Sequence, residues 1–379
     1  MIKFNKIYLT GNEQKYIDKT IKENALKGNG FFSKKICNFF EKEYNVKKCF
    51  LTPSATSALE MMSLILDFKP EDEIIIPSYT YVSTANAFAL RKAKIKFVDI
   101  DPKNLVIDIE KIKKAITSKT KAIMVMNYNG VSVDFDKLKN FIKGKDIYLL
   151  EDNAQGINAK YKRSYLGTQS DMSCISFHET KNITSGGQGG VLFVNNEKLI
   201  DKAYKVYQNG TNKREFLLNK VNLYTWKTLG SSNIMSEINS AFLWAQLENI
   251  EEITKKRINL WNEYYKLLKP LEQENYFVLQ DIPKYNKINA HLFYLFFKTE
   301  AIAKDFKLFM KSENIEVFYH YQSLHNSKAG KKYGFSIDNN KISNYASKRV
   351  IRLPLYTNMK SDTLRYIVRK IYIWRKNYG

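Results

Sequence analysis

Cysteine is nearly absent. Three in 379 residues, Cys37, Cys49 and Cys174, are too few and too scattered for a disulfide framework or a cysteine-based metal site. That usage fits a reducing, cytoplasmic compartment. No apolar run approaches the roughly 20 residues that cross a bilayer. The opening Met1-Ile2-Lys3-Phe4-Asn5 has no apolar core of the signal-peptide kind, so no membrane insertion is expected. Internal repeats and low-complexity linkers are missing. So are recognition-helix, RNA-binding and zinc-finger signatures.

Charge of one sign is in excess: 61 Lys and Arg face 38 Asp and Glu, a formal +23. Such a balance suits nucleic acid, an anionic small substrate or a membrane surface. The lysines are spread along the whole chain among Asn, Ile and Tyr, which is the pattern of solvated faces, and no nucleic-acid partner is expected. The basic end, Arg369-Lys370 and Arg375-Lys376, fits a solvated last helix. A hydrophobic content of 44% excludes general disorder, and the length suffices for two domains.

Against this basic background one segment is nearly free of cations. From Ser164 to Glu197 the only lysine or arginine is Lys181. It follows a short apolar run, Cys174 to Phe177, that reads as a buried strand, and it precedes the glycines Gly186, Gly187, Gly189 and Gly190. A lysine in that position is desolvated. Desolvation lowers the pKa and frees the amine to attack carbonyls. The alternative is a surface loop lysine. The glycines match neither the dinucleotide fingerprint nor Walker A, because they lead from loop to strand; they read as allowing close backbone approach beside Lys181.

Upstream, Ile147-Tyr148-Leu149-Leu150 is a second buried strand ending in Glu151-Asp152. Carboxylates at the C-terminal end of a parallel strand sit where α/β folds place ligands. There an aspartate can hold a ring nitrogen protonated, as pyridoxal phosphate requires, alongside a lysine for its Schiff base. The plainer reading of Asp152 is a helix N-cap. A third stretch, Cys49 to Glu60, runs from a strand through Thr52, Ser54 and Thr56 into an apolar helix. Hydroxyls and free N–H groups at a helix start make an anion site, or an ordinary cap.

Strand and helix alternate from Cys49 to Asp152. Strands are expected near Ile74–Ile76, Ile95–Ile100 and Ala122–Tyr128. Helices are expected up to Leu90, near Asp108–Ala115 and over Phe135–Ile142, giving a mainly parallel sheet covered on both faces. Tyr79 and Tyr81 lie at a strand exit, where an aromatic either stacks on a flat ligand or packs in the core. Residues 1–12 read as an extended arm, 211–227 as a loop excursion and Met235–Leu268 as one long helix. Further on, strands are expected near His291–Phe297 and Ile315–Tyr321, and helices near Ile302–Ser312 and Asp362–Tyr378.

Together these segments resemble the DegT/DnrJ/StrS family of sugar-nucleotide aminotransferases along nearly the whole chain. The resemblance rests first on Ser176-Phe177-His178-Glu179-Thr180-Lys181-Asn182 with Gly186 to Gly190. Thr52 to Thr56, Pro77 to Asn86, Glu151 to Gly156, Met235-Ser236-Glu237, Phe318 to Tyr321, Leu324-His325 and Arg352 to Leu355 add to it. It implies an α/β fold of type I, as in aspartate aminotransferase. A large, mainly parallel-sheet, PLP-binding domain with an N-terminal arm would span residues 1–250, and a smaller C-terminal α/β domain 251–379. It further implies a homodimer with shared active sites and the cofactor pyridoxal 5'-phosphate. The substrates would be L-glutamate and a TDP-linked keto sugar: the likeness is to members that convert TDP-4-keto-6-deoxyglucose into TDP-4-amino-4,6-dideoxygalactose for lipopolysaccharide O-antigen or other surface polysaccharide. Amination to the gluco epimer, or at C3, is the alternative within the family.

By the same resemblance Lys181 is the Schiff-base lysine and the acid/base, and Asp152 pairs with the pyridine nitrogen. Gln155 contacts the phenolic oxygen, Tyr81 stacks on the ring, and Ala55, Thr56 and Ser176 hold the phosphate. His320, Tyr321 and His325 belong to the sugar-nucleotide side. Two departures stand out. Ser232 and Ile234 occupy positions where many members carry Asn and Arg, the Asn reaching the neighbouring subunit's phosphate; Ser232 remains a candidate because the 4-aminotransferases also have Gly-Ser-Ser there. Asn127 stands where many members have His. Related dehydratases replace the lysine by histidine, so Lys181 points to transamination.

Overall fold

The computed structural model describes residues 1–378; Gly379, the last residue of the expected C-terminal domain, lies outside them. Eight strands form the principal sheet. In spatial order they are Lys48–Thr52, Gly190–Val194, Met172–Ser176, Tyr148–Asp152, Thr120–Met126, Glu73–Pro77, Lys94–Val98 and Gly334–Ser336. Only Gly190–Val194 runs antiparallel to its neighbours; the other pairings are parallel.

The strands read as unbroken apolar runs because both faces are covered. Ile74 and Ile76 pack with Met124 and Leu150 against Leu59 and Met62 of the helix Ala55–Ile65. Ile75 packs with Ile123, Val125 and Leu149 against Phe135 and Leu138 of the helix Phe135–Ile142 on the opposite face. A one-residue step along the strand changes the face, and an apolar side chain meets an apolar layer either way.

A second sheet of four strands, Phe277–Leu279, Phe293–Phe297, Val350–Leu353 and Phe318–Tyr319, is antiparallel throughout. Its core contains Trp261, Tyr264, Phe306 and Trp374. The helices Glu300–Ser312 and Ser361–Tyr378 pack on it, close to their expected places. The N-terminal arm lies along this part of the molecule: Ile2 N–H donates to Asn314 O at 2.7 Å and Phe4 N–H to Glu316 Oε2 at 2.9 Å.

Three readings of the sequence need correction. The single helix over Met235–Leu268 is two, Glu237–Leu247 and Ile250–Glu272. Asn249 leaves helical geometry between them (φ −112°, ψ 14°), while both helices keep an apolar inner face, so the periodicity runs through the break unmarked. The strand expected over Ile315–Tyr321 narrows to Phe318–Tyr319. The excursion 211–227 contains a short helix, Lys213–Leu217. Two strands went unread: Gly334–Ser336 at the edge of the principal sheet, and Val350–Leu353 inside the second sheet.

Arg257, buried on the long helix, donates to the carbonyls of Ala290, His291 and Leu355 at 3.0, 2.7 and 3.2 Å. It thereby fixes two loops relative to the helix. Among the described residues no helix is long and apolar enough to cross a membrane, and no group of three His, Cys, Asp or Glu is placed to hold a metal.

Candidate active site

The parallel strands Thr120–Met126, Tyr148–Asp152 and Met172–Ser176 deliver their last residues, Met126, Asp152 and Ser176, to one cavity of about 470 Å³. This is the edge where open α/β sheets bind ligands. Ser54, Ala55 and Thr56 at the helix start, Tyr81, Lys181, His320 and Tyr321 complete the wall. A smaller cavity of about 220 Å³ adjoins it and shares Thr180, Lys181 and His320.

Lys181 stands on the turn after Met172–Ser176, its N–H bonded to His178 O at 2.9 Å. The turn closes on itself: His178 Nδ1 accepts from Thr180 N–H at 3.2 Å and lies 2.9 Å from the Thr180 hydroxyl. Gly186 and Gly187 then take positive φ (80° and 127°) as the chain doubles back into Gly190–Val194. Burial pushes the Lys181 ammonium down to a pKa of about 8, against the opposing pull of the Asp152 carboxylate. The close approach expected of the glycines falls elsewhere than beside Lys181. A Cβ on Gly190 would sit 2.4 Å from Ala55 N, so this glycine lets the strand reach the helix N-terminus.

Asp152 is oriented by three donors: the Thr84 hydroxyl at 2.6 Å, Ala154 N–H at 3.2 Å and the Cys174 thiol at 3.7 Å. Thr84 is itself 2.8 Å from the Thr80 hydroxyl. The neighbouring Glu151 has a structural task. It is fully buried and accepts from Asn127 Nδ2, Gly167 N–H, Gln169 N–H and the Ser170 hydroxyl at 2.8–3.0 Å; burial raises its pKa against those bonds. Asn127 thus supports Glu151.

At the start of the helix Ala55–Ile65 the Ser54 hydroxyl accepts from Ser57 N–H at 3.0 Å and caps the turn. Thr56 and Ser83 hydroxyls lie 2.8 Å apart on the same wall, with Ser176 nearby in the lining. Hydroxyls, a helix N-terminus and a glycine that removes side-chain bulk form a cradle for an anion.

Gln155 lines the smaller cavity, its Oε1 accepting from Asn129 N–H at 2.7 Å and its Nε2 donating to Tyr321 Oη at 2.8 Å. Of the two strand-exit tyrosines, Tyr79 is fully buried against Tyr128 and Tyr321, whereas Tyr81 is 56% exposed at the cavity wall and offers a ring face. His320 faces both cavities, with Nδ1 3.1 Å from Tyr128 Oη; burial, with Arg352 and Lys181 nearby, holds its pKa well below the usual histidine range.

Two candidates are not brought to the cavities of this chain. His325 lines neither, because its Nδ1 is engaged 2.5 Å from the Ser78 hydroxyl. Ser232 is exposed on the segment after the excursion, bridged to Gln208. Sequence reasoning assigned no part to Thr84, Ser83, His291 or Arg352. Thr84 and Ser83 sit in the first turn of Val82–Ala89, where helical spacing aims them at the strand ends. Arg352 lay within a noted motif, but its strand was unread.

The sequence profile of the DegT/DnrJ/EryC1/StrS aminotransferase family matches residues 8–372. The chain is 26% identical over 369 residues to GDP-perosamine synthase of Escherichia coli O157:H7, covering 96% of this chain and 95% of that protein. It is 32% identical over 223 residues to UDP-2-acetamido-2-deoxy-3-oxo-D-glucuronate aminotransferase of Pseudomonas aeruginosa, covering 59% and 60%. Its fold matches Escherichia coli GDP-4-keto-6-deoxy-D-mannose-3-dehydratase, solved with bound hydrated PLP, at a TM-score of 0.88 and 22% identity over 98% and 99% of the two chains. With a desolvated lysine beside an oriented aspartate and an anion cradle on the same cavity, the protein belongs to the DegT/DnrJ/EryC1/StrS aminotransferase family and is a PLP-dependent sugar aminotransferase.

Proposed function

We propose that this enzyme moves the amino group of L-glutamate to the 4-keto carbon of TDP-4-keto-6-deoxyglucose, placing it axially to give TDP-4-amino-4,6-dideoxygalactose. The observation that carries the transamination is that Lys181 and Asp152 open on one cavity that a capped helix N-terminus also lines. The choice of sugar rests on the sequence resemblance. Residues 1–250 and 251–379 are the proposed domains, in keeping with the separate core under the second sheet.

The residues present fit pyridoxal phosphate. Bound there, it supplies an electron sink in its protonated pyridine ring. Asp152, its orientation fixed by Thr84, holds the proton on the ring nitrogen. Thr56 and Ser176 hydroxyls and the N–H groups at Ala55 and Thr56 hold the phosphate. Gln155 would donate toward the phenolic oxygen, and Tyr81 would cover one ring face and exclude water. Lys181 Nζ would hold the cofactor covalently and would serve as the acid/base for the proton at the donor's reacting carbon. His320 and Tyr321 face the sugar. Ser232 would act across a dimer interface, as would His325 if a partner surface reaches it. The exposed Leu217, Leu223 and Trp226 of the excursion support such an interface.

Two other readings have specific support. The GDP-perosamine synthase relative spans almost the whole chain, which favours a GDP-linked substrate. The relative named for a 3-oxo sugar favours amination at C3. The gluco epimer at C4 shares every residue named here.

Product analysis by NMR, after incubation with PLP, L-glutamate and each of the TDP- and GDP-linked 4-keto-6-deoxy sugars, is expected to show an axial C4 amine from the TDP sugar. An equatorial amine, a C3 amine or turnover of the GDP sugar alone overturns the substrate assignment. Light scattering is expected to give about twice 44.3 kDa; a fully active monomer overturns the shared site. Because Lys181 titrates near 8 instead of 10.5, its free amine is about a tenth of the total at pH 7 and about nine tenths at pH 9. The initial rate of PLP uptake by cofactor-free protein is expected to rise with pH through 8 and level off above 9. A rate still climbing toward pH 10.5 contradicts the desolvated amine.

A further inference from the structure

Lys181 lines both cavities, and among the described residues its Nζ has no hydrogen-bond partner. A buried amine that is not bonded to the cofactor needs an acceptor. The smaller cavity offers one whose protonation its neighbours decide. Asn182, the residue after Lys181, donates from Nδ2 to Asn289 O at 2.8 Å, so its Oδ1 is the atom 2.9 Å from His291 Nδ1. An amide oxygen cannot donate, and His291 Nδ1 therefore carries the hydrogen. Burial, with Lys181, Arg257 and Arg352 nearby, holds the ring's pKa well below the usual histidine range, so no second proton joins it. Nε2 is left with a bare lone pair.

That lone pair is idle. Among the described residues Nε2 has no hydrogen-bond partner, yet it is not sealed in the packing: the ring opens on the smaller cavity that Lys181 also lines. The histidine itself is held firmly. Its N–H donates to Asn289 Oδ1 at 3.2 Å, and its carbonyl accepts from Arg257 at 2.7 Å. Asn289 is fixed in turn by donating to Gln155 O and Ile157 O at 2.8 and 2.7 Å.

We propose that His291 is a positioning residue whose Nε2 accepts an N–H of the free Lys181 amine, holding it toward the smaller cavity whenever Lys181 is not bonded to the cofactor. This rests on the reading of Lys181 as the cofactor lysine and adds where its amine rests between bonds. The ring is fixed, so the flexible lysine makes the approach. The other charged or titratable groups that face Lys181 are Asp152, Cys174, Arg352, His178 and His320, and all of them stay in place in the test.

The test compares two variants in the cofactor-free full chain. A brief pulse of acetic anhydride at a series of pH values, read by mass spectrometry on the peptide containing Lys181, gives the pH midpoint of its amine. In His291→Asn the shorter amide stands where Nδ1 stood and keeps the bond to Asn182, but nothing replaces Nε2. In His291→Gln the longer amide offers an oxygen where Nε2 stood. An acceptor favours the ammonium, so its loss lowers the midpoint. His291→Asn is expected to lower it by about one pH unit, a tenfold change and the size of a lost hydrogen bond to a charged group, while His291→Gln leaves it at the wild-type value near 8. A histidine that only braces Asn182 predicts the reverse order. If one variant does not fold, the other decides alone: an unchanged midpoint in His291→Asn, or a lowered one in His291→Gln, overturns the inference. Equal midpoints in all three proteins, or equal lowering in both variants, overturn it too, while a wild-type midpoint near 8 keeps the desolvated amine. Borohydride trapping of the cofactor on a lysine other than Lys181 overturns the cofactor reading and the inference together.

Discussion

Desolvation of one amine is the constraint on which the site depends. Lys181 is enclosed between two cavities, where burial strips its charge of water, and the Asp152 carboxylate returns only part of that support. Water would leave the amine protonated at neutral pH, and a full ion pair would do the same. The pKa of about 8 is the balance between these, and it makes the amine available within the physiological range.

Holding that balance requires a rigid surround. Asp152 cannot turn away, because Thr84 and Ala154 hold its oxygens. Its neighbour Glu151 is committed to Gly167, Gln169, Ser170 and Asn127, which locks the strand end from the other face. The absence of a side chain at Gly190 brings the helix N-terminus against the antiparallel strand. Arg257 joins the long helix to the loops that carry His291 and Leu355, and so steadies the side of the site that the second sheet supplies. Packing energy in both sheets is thereby converted into positional accuracy at the amine.

The parts legible in the sequence were those with strong local pattern. The apolar runs of the parallel strands, the helix Phe135–Ile142 and the lone lysine in a segment otherwise free of Lys and Arg all carried their structure openly. What escaped depended on tertiary context. The break at Asn249 left no mark because the apolar stripe continues across it. Gly334–Ser336 is too short and too exposed to read as a strand, and it exists because Lys94–Val98 offers a free edge. Tyr79 and Tyr81 are two residues apart and chemically identical, and only the fold decides that the first is core and the second lines the cavity. The resemblance placed His320 and Tyr321 at the cavity, but His325, only four residues beyond Tyr321, is turned aside to Ser78.

The most direct test of the account is borohydride reduction of the PLP-loaded protein, followed by peptide mapping by mass spectrometry. A chain this rich in basic side chains offers many amines to an aldehyde. The account predicts one stoichiometric pyridoxyl label, on the peptide containing Lys181, and none on a loaded Lys181→Ala variant. A label spread over surface lysines, or concentrated on any other one, contradicts it.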